Sequence, residues 1–251
     1  LDGGRRQPGA ASPARLCYML RPTMARTLVT GANRGIGLEI VRILLERGDR
    51  VVACVRKSSP ELGALADAHH GENGLRIVEG IDVSDDEVIP ALRRALSDEV
   101  FDTLVLNAGI LEAQGSMDLG LDAIERQLEV NALGPLRVVA ALAEGLATGA
   151  KIALITSRMG SIADNTSGGY YGYRMSKAAL NAAGKSLAID LAPRGIAVVL
   201  LHPGFVRTRM TGHHGDVDPA MAAAKLVERI DELAVERTGR FLHANGEELP
   251  W

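Results

Sequence analysis

The sequence predicts an α/β fold, a single doubly wound parallel sheet with helices on both faces, from two observations. From Met24 onward, short β-branched runs alternate with helical stretches through short connections. Several strand-like runs, such as residues 152–155 and 198–201, are apolar throughout, as strands covered on both faces are. The chain has 251 residues, 47% of them hydrophobic, which is enough for one large core, and no composition shift after residue 24 marks a second domain.

The elements of this sheet can be placed in order along the chain. Short runs of strand-forming residues predict strands at residues 27–30, 50–55, 75–79, 103–106, 151–156, 196–201 and 240–243. The stretches between them predict helices near residues 35–48, 60–69, 85–97, 120–146, 170–192 and 218–235. Ligands of such sheets bind at the carboxyl ends of the strands, so the residues that follow each strand are the candidates for a site.

Residues 1–23 are predicted to form a tail outside the folded domain. We expect the domain itself to span residues 24–251. The tail residues contain four arginines, one acid and no periodic apolar pattern. An expression tag, an upstream remnant and a targeting leader are all consistent with this composition.

The composition argues against several classes of partner. A net charge of -3 gives no global positive field, so we expect neither a nucleic acid nor a membrane surface as a partner. No apolar run approaches the ~20 residues that span a bilayer. Cys17 and Cys54 are far apart, and the two adjacent histidine pairs have no carboxylate cluster beside them, so we expect no disulfide and no metal. The expectation is a soluble, cytoplasmic protein.

A glycine-rich turn follows the first predicted strand. Residues 30–37 read Thr-Gly-Ala-Asn-Arg-Gly-Ile-Gly, and a helical stretch follows at once. Glycines let a backbone turn tightly and approach a pyrophosphate, whose charge is favoured by the free N–H groups at a helix start. A tight strand–helix connection without a ligand is the alternative. The candidate contacts to a dinucleotide are Gly31, Asn33, Arg34, Gly35, Ile36 and Gly37.

Cations near this turn favour NADP(H) over NAD as the cofactor. Where dinucleotide binders often carry an acid for the ribose 2′-hydroxyl, the second strand runs into Arg56 and Lys57, and Arg34 lies in the turn itself. A guanidinium can pair with a 2′-phosphate in bidentate fashion, although solvated surface charge would give the same pattern. Asp82, after the third strand, is a candidate acceptor for the adenine amino group or, equally, a helix cap beside Ser84.

A tyrosine, a lysine and a serine together predict acid–base chemistry. Tyr173 and Lys177 are four residues apart at the start of a predicted helix and therefore share one face. A phenol titrates near pKa ~10, so it needs a neighbouring cation to work near neutral pH, and Lys177 supplies that charge. Ser157 follows the fifth strand, where its hydroxyl can hold a substrate oxygen. Taken singly, each has an ordinary structural explanation as a surface-helix pair or a turn serine.

The order of these residues resembles that of the short-chain dehydrogenase/reductase family. The motif Thr30-Gly31-(x)3-Gly35-x-Gly37 is followed by Asn107-Ala108-Gly109, Asn131, Ser157 and Tyr173-(x)3-Lys177. The resemblance covers roughly residues 25–245 and implies a Rossmann-type domain with a seven-stranded parallel sheet.

The resemblance also implies a role for each matching residue. Tyr173 is the implied general acid/base, and Lys177 is implied to hold the nicotinamide ribose and to lower the pKa of Tyr173. Ser157 is implied to orient the substrate oxygen, and Asn131 to hold a water for proton relay. The further cofactor contacts implied or expected are Asp82, Val83, Asn107, Ala108, Gly109, Pro203, Gly204, Val206 and Thr208.

Two departures from the family pattern concern the substrate side. The gap between Ser157 and Tyr173 is longer than is typical, with a polar loop at residues 162–169, and Ser161 offers a rival serine. After Thr208 the segment that usually covers the substrate looks short, which predicts an open pocket.

The predicted function is NADPH-dependent reduction of an aldehyde, ketone or quinone, or oxidation of the alcohol. Residues 156–177 and 247–251 resemble the C-factor branch, which includes sniffer-type carbonyl reductases. Because C-factor is associated with bacterial intercellular signalling, a signalling or nucleotide-sensing role with incidental reductase activity remains an alternative.

Hydrolysis through Ser157 would need a histidine base, and the nearest in sequence is His202. The apolar helices near 120–146 and 170–192 fit a homodimer or homotetramer as well as burial within a monomer.

Overall fold

One parallel sheet organises the computed structural model, which describes residues 24–71, 74–115, 117 and 119–251. The predicted tail at residues 1–23 lies outside the described residues. Within them the sheet has seven strands: β1 (Arg26–Thr30), β2 (Arg50–Cys54), β3 (Leu75–Val78), β4 (Phe101–Leu106), β5 (Leu146–Ile155), β6 (Ala197–His202) and β7 (Arg240–His243). The strand order is β3-β2-β1-β4-β5-β6-β7, with every neighbouring pair parallel. The predicted doubly wound α/β fold is confirmed.

Helices cover both faces of this sheet. They are α1 (Gly35–Glu46), α2 (Pro60–Ala68), α3 (Val88–Leu96), α4 (Leu121–Leu128), α5 (Gly134–Leu142), α6 (Tyr171–Leu191) and α7 (Pro219–Asp231). One core layer joins α1, α2 and α7 to the sheet, and a second layer joins α3, α5 and α6 to the opposite face. In the described part of the chain, none of the helices combines the length and the apolar character needed to cross a membrane.

The alternation of side chains along each strand explains the two core layers. Leu28 and Leu104 belong to the layer with α3, α5 and α6, whereas their neighbours Val29 and Val105 belong to the layer with α1, α2 and α7. Successive strand residues point to opposite faces, and both faces here are buried. The strands therefore read as continuous apolar runs rather than as an apolar–polar alternation.

The prediction of one helix near residues 120–146 was wrong, and the strand predicted from residue 151 begins five residues earlier, at Leu146. The helix is interrupted by a π-turn at Glu129–Leu133, between α4 and α5. Pro135 follows this turn at the start of α5, and because proline has no N–H, the regular hydrogen-bond ladder cannot run through it. Residues 146–150 belong to β5, where buried Leu146 pairs with Phe101. The remaining predicted elements match observed ones, with ends shifted by a few residues.

The order of the strands reverses between β1 and β4, since the chain winds outward from β1 to β3 and then from β4 to β7. At such a switch point the connections leave the sheet in opposite directions and open a crevice at the carboxyl ends of the strands. The fold therefore predicts a ligand site beyond Thr30 and Leu106.

Candidate active site

The predicted site residues all lie on the carboxyl side of the sheet or on the elements that border it. The glycine turn follows β1, Arg56 follows β2, and the segments at residues 82–83, 107–109 and 203–208 follow β3, β4 and β6. Ser157 follows β5, Tyr173 and Lys177 lie in the first turns of α6, and Asn131 lies in the π-turn. The topology thus gathers residues from 30 to 208 at one edge of the sheet.

The glycine turn is shaped by close backbone packing. Gly31 and Gly35 adopt φ values of 65° and 55°, in the left-handed region that glycine enters without strain. A Cβ on Gly37 would lie 2.4 Å from the carbonyl oxygen of Gly31 and 2.5 Å from Nδ2 of Asn107, so only glycine fits there. Helix α1 begins at Gly35 with no side-chain cap and no acid in its first turn. Its N–H groups therefore remain available to an anionic group.

Thr30 and Asn107 join this turn to the end of β4. The Thr30 hydroxyl accepts hydrogen bonds from the backbone N–H groups of Asn107 (3.0 Å) and Ala108 (3.1 Å). In return, Nδ2 of Asn107 donates to the carbonyls of Thr30 and Gly31, both at 3.2 Å. Asn107 thus supports the glycine turn. This role of Thr30 was not predicted, although a threonine at the last position of β1 is visible in the sequence.

The cations beside the turn are exposed. Arg34 reaches solvent from the extended residue that precedes α1, and the Arg56 side chain is 69% exposed. Nη1 of Arg56 lies 3.7 Å from Oδ2 of Asp82. Asp82 also accepts from the backbone N–H (3.0 Å) and hydroxyl (2.7 Å) of Ser84, so one oxygen acts as a cap. Partial burial raises the pKa of Asp82, but the hydrogen bonds from Ser84 and the charge of Arg56 outweigh it, and the net pKa is lowered.

Ser157, Tyr173 and Lys177 form a buried cluster. The Ser157 hydroxyl hydrogen-bonds to the Tyr173 phenol, and it also accepts from the backbone N–H of Met159 at 3.2 Å. Lys177 Nζ donates to the carbonyl of Ile155 at 2.8 Å and lies 5.8 Å from the centroid of the Tyr173 ring. A Cβ on Gly160 would lie 2.7 Å from the carbonyl carbon of Lys177, so this glycine lets the turn after Ser157 pack against α6.

Burial shifts the pKa values of Tyr173 and Lys177 in the directions that favour their uncharged forms. Burial raises the pKa of Tyr173 to about 12, although the hydrogen bond from Ser157 lowers it in part. Burial lowers the pKa of Lys177 to about 8. The depression of the Tyr173 pKa that the sequence analysis assigned to Lys177 is therefore not seen in this structure, because desolvation of the phenolate dominates.

Asn131 ties α6 to the chain that follows β4. Its Nδ2 donates to the carbonyl of Ile110 (2.8 Å) and to the hydroxyl of Ser176 (3.0 Å), and its Oδ1 accepts from the N–H of Ile110 at 2.8 Å. Ser176 in turn donates to the carbonyl of Tyr173 at 2.9 Å. Both Nδ2 protons of Asn131 are used in these contacts. Buried Ser176 was missed by the sequence analysis, since a serine between Tyr173 and Lys177 carries no signal of its own.

The segment after β6 approaches the glycine turn from the other side. A Cβ on Gly35 would lie 3.6 Å from Cγ2 of Thr208, so the two segments border one space. Gly204 has a φ of 91°, and Val206 is buried. After Thr208 a short 3-10 turn, Arg209–Thr211, comes before α7 in the described chain, in keeping with the short covering segment predicted from the sequence.

Two alternatives raised by the sequence find no support in the geometry. Ser161, the rival serine, is buried, and its hydroxyl accepts from the backbone N–H of Asp164 at 3.0 Å. His202, the candidate base for hydrolysis, packs against His243 with ring centroids 5.1 Å apart. Burial lowers the pKa of His202 to about 3, with smaller contributions from His243 and Arg158. Ser161 is thus engaged within its own turn, and none of the described hydrogen bonds joins His202 to Ser157.

A cavity of about 260 Å³ lies at the opposite, amino edge of the sheet. Its lining includes Thr27, Arg47, Thr103, Lys151 and Asp231, and none of the predicted site residues. Its charged side chains are engaged locally: Lys151 Nζ donates to the carbonyls of Ile230 (2.8 Å) and Asp231 (2.7 Å), at the end of α7. The predicted site residues therefore lie away from this cavity, at the carboxyl edge.

Comparisons with known proteins agree with this geometry. The family model for short chain dehydrogenases matches residues 25–218. A 1-hydroxy-2-glutathionyl-2-methyl-3-butene dehydrogenase from Rhodococcus sp. (strain AD45) is 42% identical over 91% of this chain and 100% of its own. The C-signal protein of Myxococcus xanthus is 45% identical over 60% of this chain and 92% of its own.

Solved structures share the fold over most of the chain. The carbonyl reductase Sniffer of D. melanogaster superposes with a TM-score of 0.81 at 31% identity, covering 91% of this chain and 100% of its own. A short-chain dehydrogenase/reductase from Burkholderia multivorans with bound NADP gives a TM-score of 0.81 at 33% identity, with the same coverage. Sequence motifs, fold and relatives agree: the chain belongs to the short-chain dehydrogenase/reductase family, near the C-factor and sniffer branch.

Proposed function

We propose that this oxidoreductase reduces an aldehyde, ketone or quinone with NADPH, or oxidises the corresponding alcohol, with Tyr173 as the general acid/base. The observation that carries the proposal is the buried hydrogen bond between Tyr173 and Ser157, with Lys177 one helical turn further along α6. Two hydroxyls that bond to one another at the ligand-binding edge can both reach one substrate oxygen, the first as proton donor and the second as a fixed partner.

The residues present fit a dinucleotide. The turn at residues 31–37 offers uncapped N–H groups and a surface that a Cβ on Gly37 would fill, which is what a pyrophosphate requires. When bound, the nicotinamide supplies or accepts the hydride. We assign the pyrophosphate to the backbone of this turn, including Ile36, and the carboxamide to Pro203, Gly204, Val206 and Thr208.

The adenosine end of the site supports NADP(H). No acid follows β2, and the exposed guanidinium groups of Arg34 and Arg56 are free to turn toward a 2′-phosphate. We assign the adenosine to the segments at residues 82–83 and 107–109, with Asn33 beside them. Because Oδ1 of Asp82 is already engaged by Ser84, we assign the adenine amino group to Oδ2, which would become available when Arg56, 3.7 Å away, turns toward the 2′-phosphate. A related protein from Burkholderia multivorans was solved with NADP bound, which supports the same choice.

The pKa values favour proton donation to a carbonyl. With a pKa of about 12, the Tyr173 phenol is protonated at neutral pH and can give its proton to a substrate oxygen as negative charge develops there. The Lys177 ammonium then stabilises the phenolate that remains, an interaction strengthened by the buried surroundings. Ser157 holds the oxygen in line and donates to the phenolate after the transfer. Oxidation of the alcohol, the reverse reaction, requires Tyr173 to be a phenolate at the start.

Asn131 contributes to this chemistry by holding neighbouring segments in place. Since both of its Nδ2 protons are bound to Ile110 and Ser176, we assign any contact with a relay water to its backbone carbonyl or to the second lone pair of Oδ1. Its side chain fixes the distance between the chain after β4 and the start of α6. Lys177, beside Tyr173, would pass a proton on toward that water.

The relatives suggest which substrates to test. The Rhodococcus relative is named for oxidation of a glutathionyl alcohol, and the Sniffer structure is that of a carbonyl reductase. The short segment between Thr208 and α7 leaves the substrate side with little cover, which suits a bulky substrate. Glutathione-conjugated alcohols therefore join aldehydes, ketones and quinones as candidates.

A signalling or nucleotide-sensing role is the second candidate, because the M. xanthus C-signal is 45% identical over the part it matches. Such a protein would bind NADPH through the same turn but would not depend on turnover. The intact set of Asn131, Ser157, Tyr173 and Lys177 weighs against it.

The experiment is a steady-state assay of NADPH and NADH oxidation with a panel of aldehydes, ketones and quinones, and of NADP reduction with glutathionyl alcohols. The proposal expects turnover with NADPH at least tenfold more efficient than with NADH. NADPH binding measured by fluorescence, with no turnover on any member of the panel, would contradict the reductase proposal and favour the sensing role.

A further inference from the structure

The residues that lead into α6, the helix that carries Tyr173, have an unusual backbone conformation. Gly168, Gly169 and Tyr170 all adopt left-handed backbone conformations, with φ values of 64°, 64° and 52°. Tyr170 occupies the cap position, and its side chain accepts no hydrogen bond from the helix. The first N–H groups of a helix have no partner within it, so this helix must find acceptors elsewhere.

Gln114, which lies between β4 and α4, provides two of these acceptors. Its backbone carbonyl accepts from the N–H of Tyr170 at 3.0 Å, and its side-chain Oε1 accepts from the N–H of Gly172 at 2.7 Å. Its Nε2 points to the carbonyl of Gly120 at 3.4 Å. Gln114 is only 4% exposed, so these bonds are made away from water. A side chain 58 positions earlier in the chain thus takes the place of a local helix cap.

Gly172 is held tightly by its surroundings. A Cβ there would lie 2.5 Å from Nε2 of Gln127, 2.9 Å from Cα of Ile124 and 3.0 Å from Oε1 of Gln114. The first turn of α6 is therefore pressed against α4, with Gln114 as its hydrogen-bond partner. The next residue is Tyr173, whose ring direction follows from the placement of this turn.

We infer that Gln114 is a positioning residue for the acid/base chemistry: it fixes the start of α6 and thereby the direction of the Tyr173 phenol. The inference rests on the proposed function for its catalytic consequence. A helix cap that comes from a distant segment links two parts of the chain, whereas a local serine cap would not. Gln114 couples the placement of Tyr173 to the chain that follows Asn107-Ala108-Gly109, on the cofactor side of the site.

The neighbouring Gln127 offers a matched control. It is fully buried, accepts from the N–H of Glu112 at 3.0 Å and donates to the carbonyl of Ala123 at 3.0 Å. It packs on Gly172, yet none of its described hydrogen bonds reaches α6. Loss of Gln127 therefore removes the same kind of buried amide from the same region without removing the acceptor for Gly172.

The test compares Gln114→Met, Gln114→Glu and Gln127→Met with the parent chain. We expect Gln114→Met to lower kcat about 10- to 100-fold, since misplacement of a reacting group by about 1 Å can cost ~100-fold. The KM for NADPH should stay within about threefold, because the glycine turn is untouched. Gln114→Glu keeps an acceptor for Gly172 and should recover most of the activity, whereas Gln127→Met should keep kcat within about threefold of the parent.

Amide hydrogen exchange over residues 170–177 provides a readout that does not depend on activity. Faster exchange in Gln114→Met than in Gln127→Met supports the inference, even if the parent shows no turnover and the proposed function fails. Equal exchange in the two variants would overturn it. In an active parent, an equal loss of kcat in both Met variants, or a loss in Gln114→Glu as large as in Gln114→Met, would also overturn it.

Discussion

The two ends of the site differ in how the protein holds its functional groups. At the catalytic end, Asn131, Ser157, Tyr173 and Lys177 are all less than 9% exposed, and each has hydrogen-bond partners within the protein. At the adenosine end, Arg34, Arg56 and Lys57 are exposed, and the contact of Arg56 with Asp82 is a loose 3.7 Å. In the proposed function, the chemistry therefore relies on a buried interior and the choice of cofactor on the surface.

This difference has an energetic meaning. Charges in a buried site interact strongly and shift one another's pKa, whereas exposed charges are screened by water and salt. A change at the catalytic end should thus affect rate steeply and stability as well. A change among the surface cations should alter cofactor preference while leaving the fold and the chemical step intact. The predictions below test this division, beginning with the largest effect.

Replacement of Lys177 by methionine should lower kcat about 100- to 10,000-fold, because the buried ammonium lies 5.8 Å from the centroid of the Tyr173 ring and can stabilise the phenolate formed there. Methionine keeps most of the volume but loses the bond to the carbonyl of Ile155. Steady-state kinetics with saturating NADPH measures the effect. Thermal denaturation of the variant serves as a control for folding, and a kcat within threefold of the parent would contradict the assignment.

Replacement of Gly37 by alanine should weaken NADPH binding by about 5- to 150-fold. The new Cβ would lie 2.4 Å from the carbonyl oxygen of Gly31, and overpacking of this kind costs about 1–3 kcal/mol and displaces the turn. Fluorescence titration with NADPH provides the measurement. Gly63→Ala in α2 is the matched control, since its Cβ would meet nothing within 4 Å and binding should not change. Equal affinity in the two variants would break the link between the turn and the cofactor.

Replacement of Arg56 by alanine should lower the ratio of kcat/KM for NADPH over NADH about 10- to 100-fold. A charge-assisted hydrogen bond is worth about 1.5–3 kcal/mol, and NADH has no phosphate to lose. The kcat with saturating NADPH should stay close to that of the parent, and raised salt should weaken NADPH binding to the parent more than to the variant. An unchanged cofactor ratio would place the 2′-phosphate elsewhere.

The rate of reduction should fall about five- to tenfold between pH 7 and pH 9. Burial lowers the pKa of Lys177 to about 8, so its ammonium loses a proton as the pH rises through this value. The pKa of Tyr173 is about 12, and the phenol remains protonated over the same range. The decline therefore follows the charge of Lys177. A kcat profile that is flat from pH 7 to pH 9.5, with the fold intact by circular dichroism, would contradict it.

Much of the fold was predictable because local patterns and topology agree. The apolar runs of Val29 and Val105 predicted buried strands, and the glycines at 31, 35 and 37 predicted the turn at the switch point, since backbone sterics alone require them. Pro135 was a visible signal for a break in the helix, but the form of the break, a π-turn at Asn131, was not predictable. A π-turn depends on which long-range partners the backbone and side chains find, and here those partners are Ile110 and Ser176.

The same limit applies to the site. The residue types and spacing of Ser157, Tyr173 and Lys177 indicated their chemistry, but the raised pKa of Tyr173 follows from burial by elements far along the chain. Gln114 carried no sequence signal at all, because its partner Gly172 is 58 positions away. Sequence predicts which groups react, whereas the packing that orients them and sets their pKa values is a property of the folded chain.

The most direct test of the account is the comparison of Tyr173→Phe with the parent, measuring NADPH affinity and kcat on the best carbonyl substrate of the panel. Phenylalanine keeps the ring and removes only the hydroxyl that bonds to Ser157. The account predicts NADPH affinity within about threefold of the parent and a kcat lower by about 1,000-fold, within the range typical of a lost general acid. A variant that retains more than a tenth of the parent kcat would contradict the claim that Tyr173 delivers the proton.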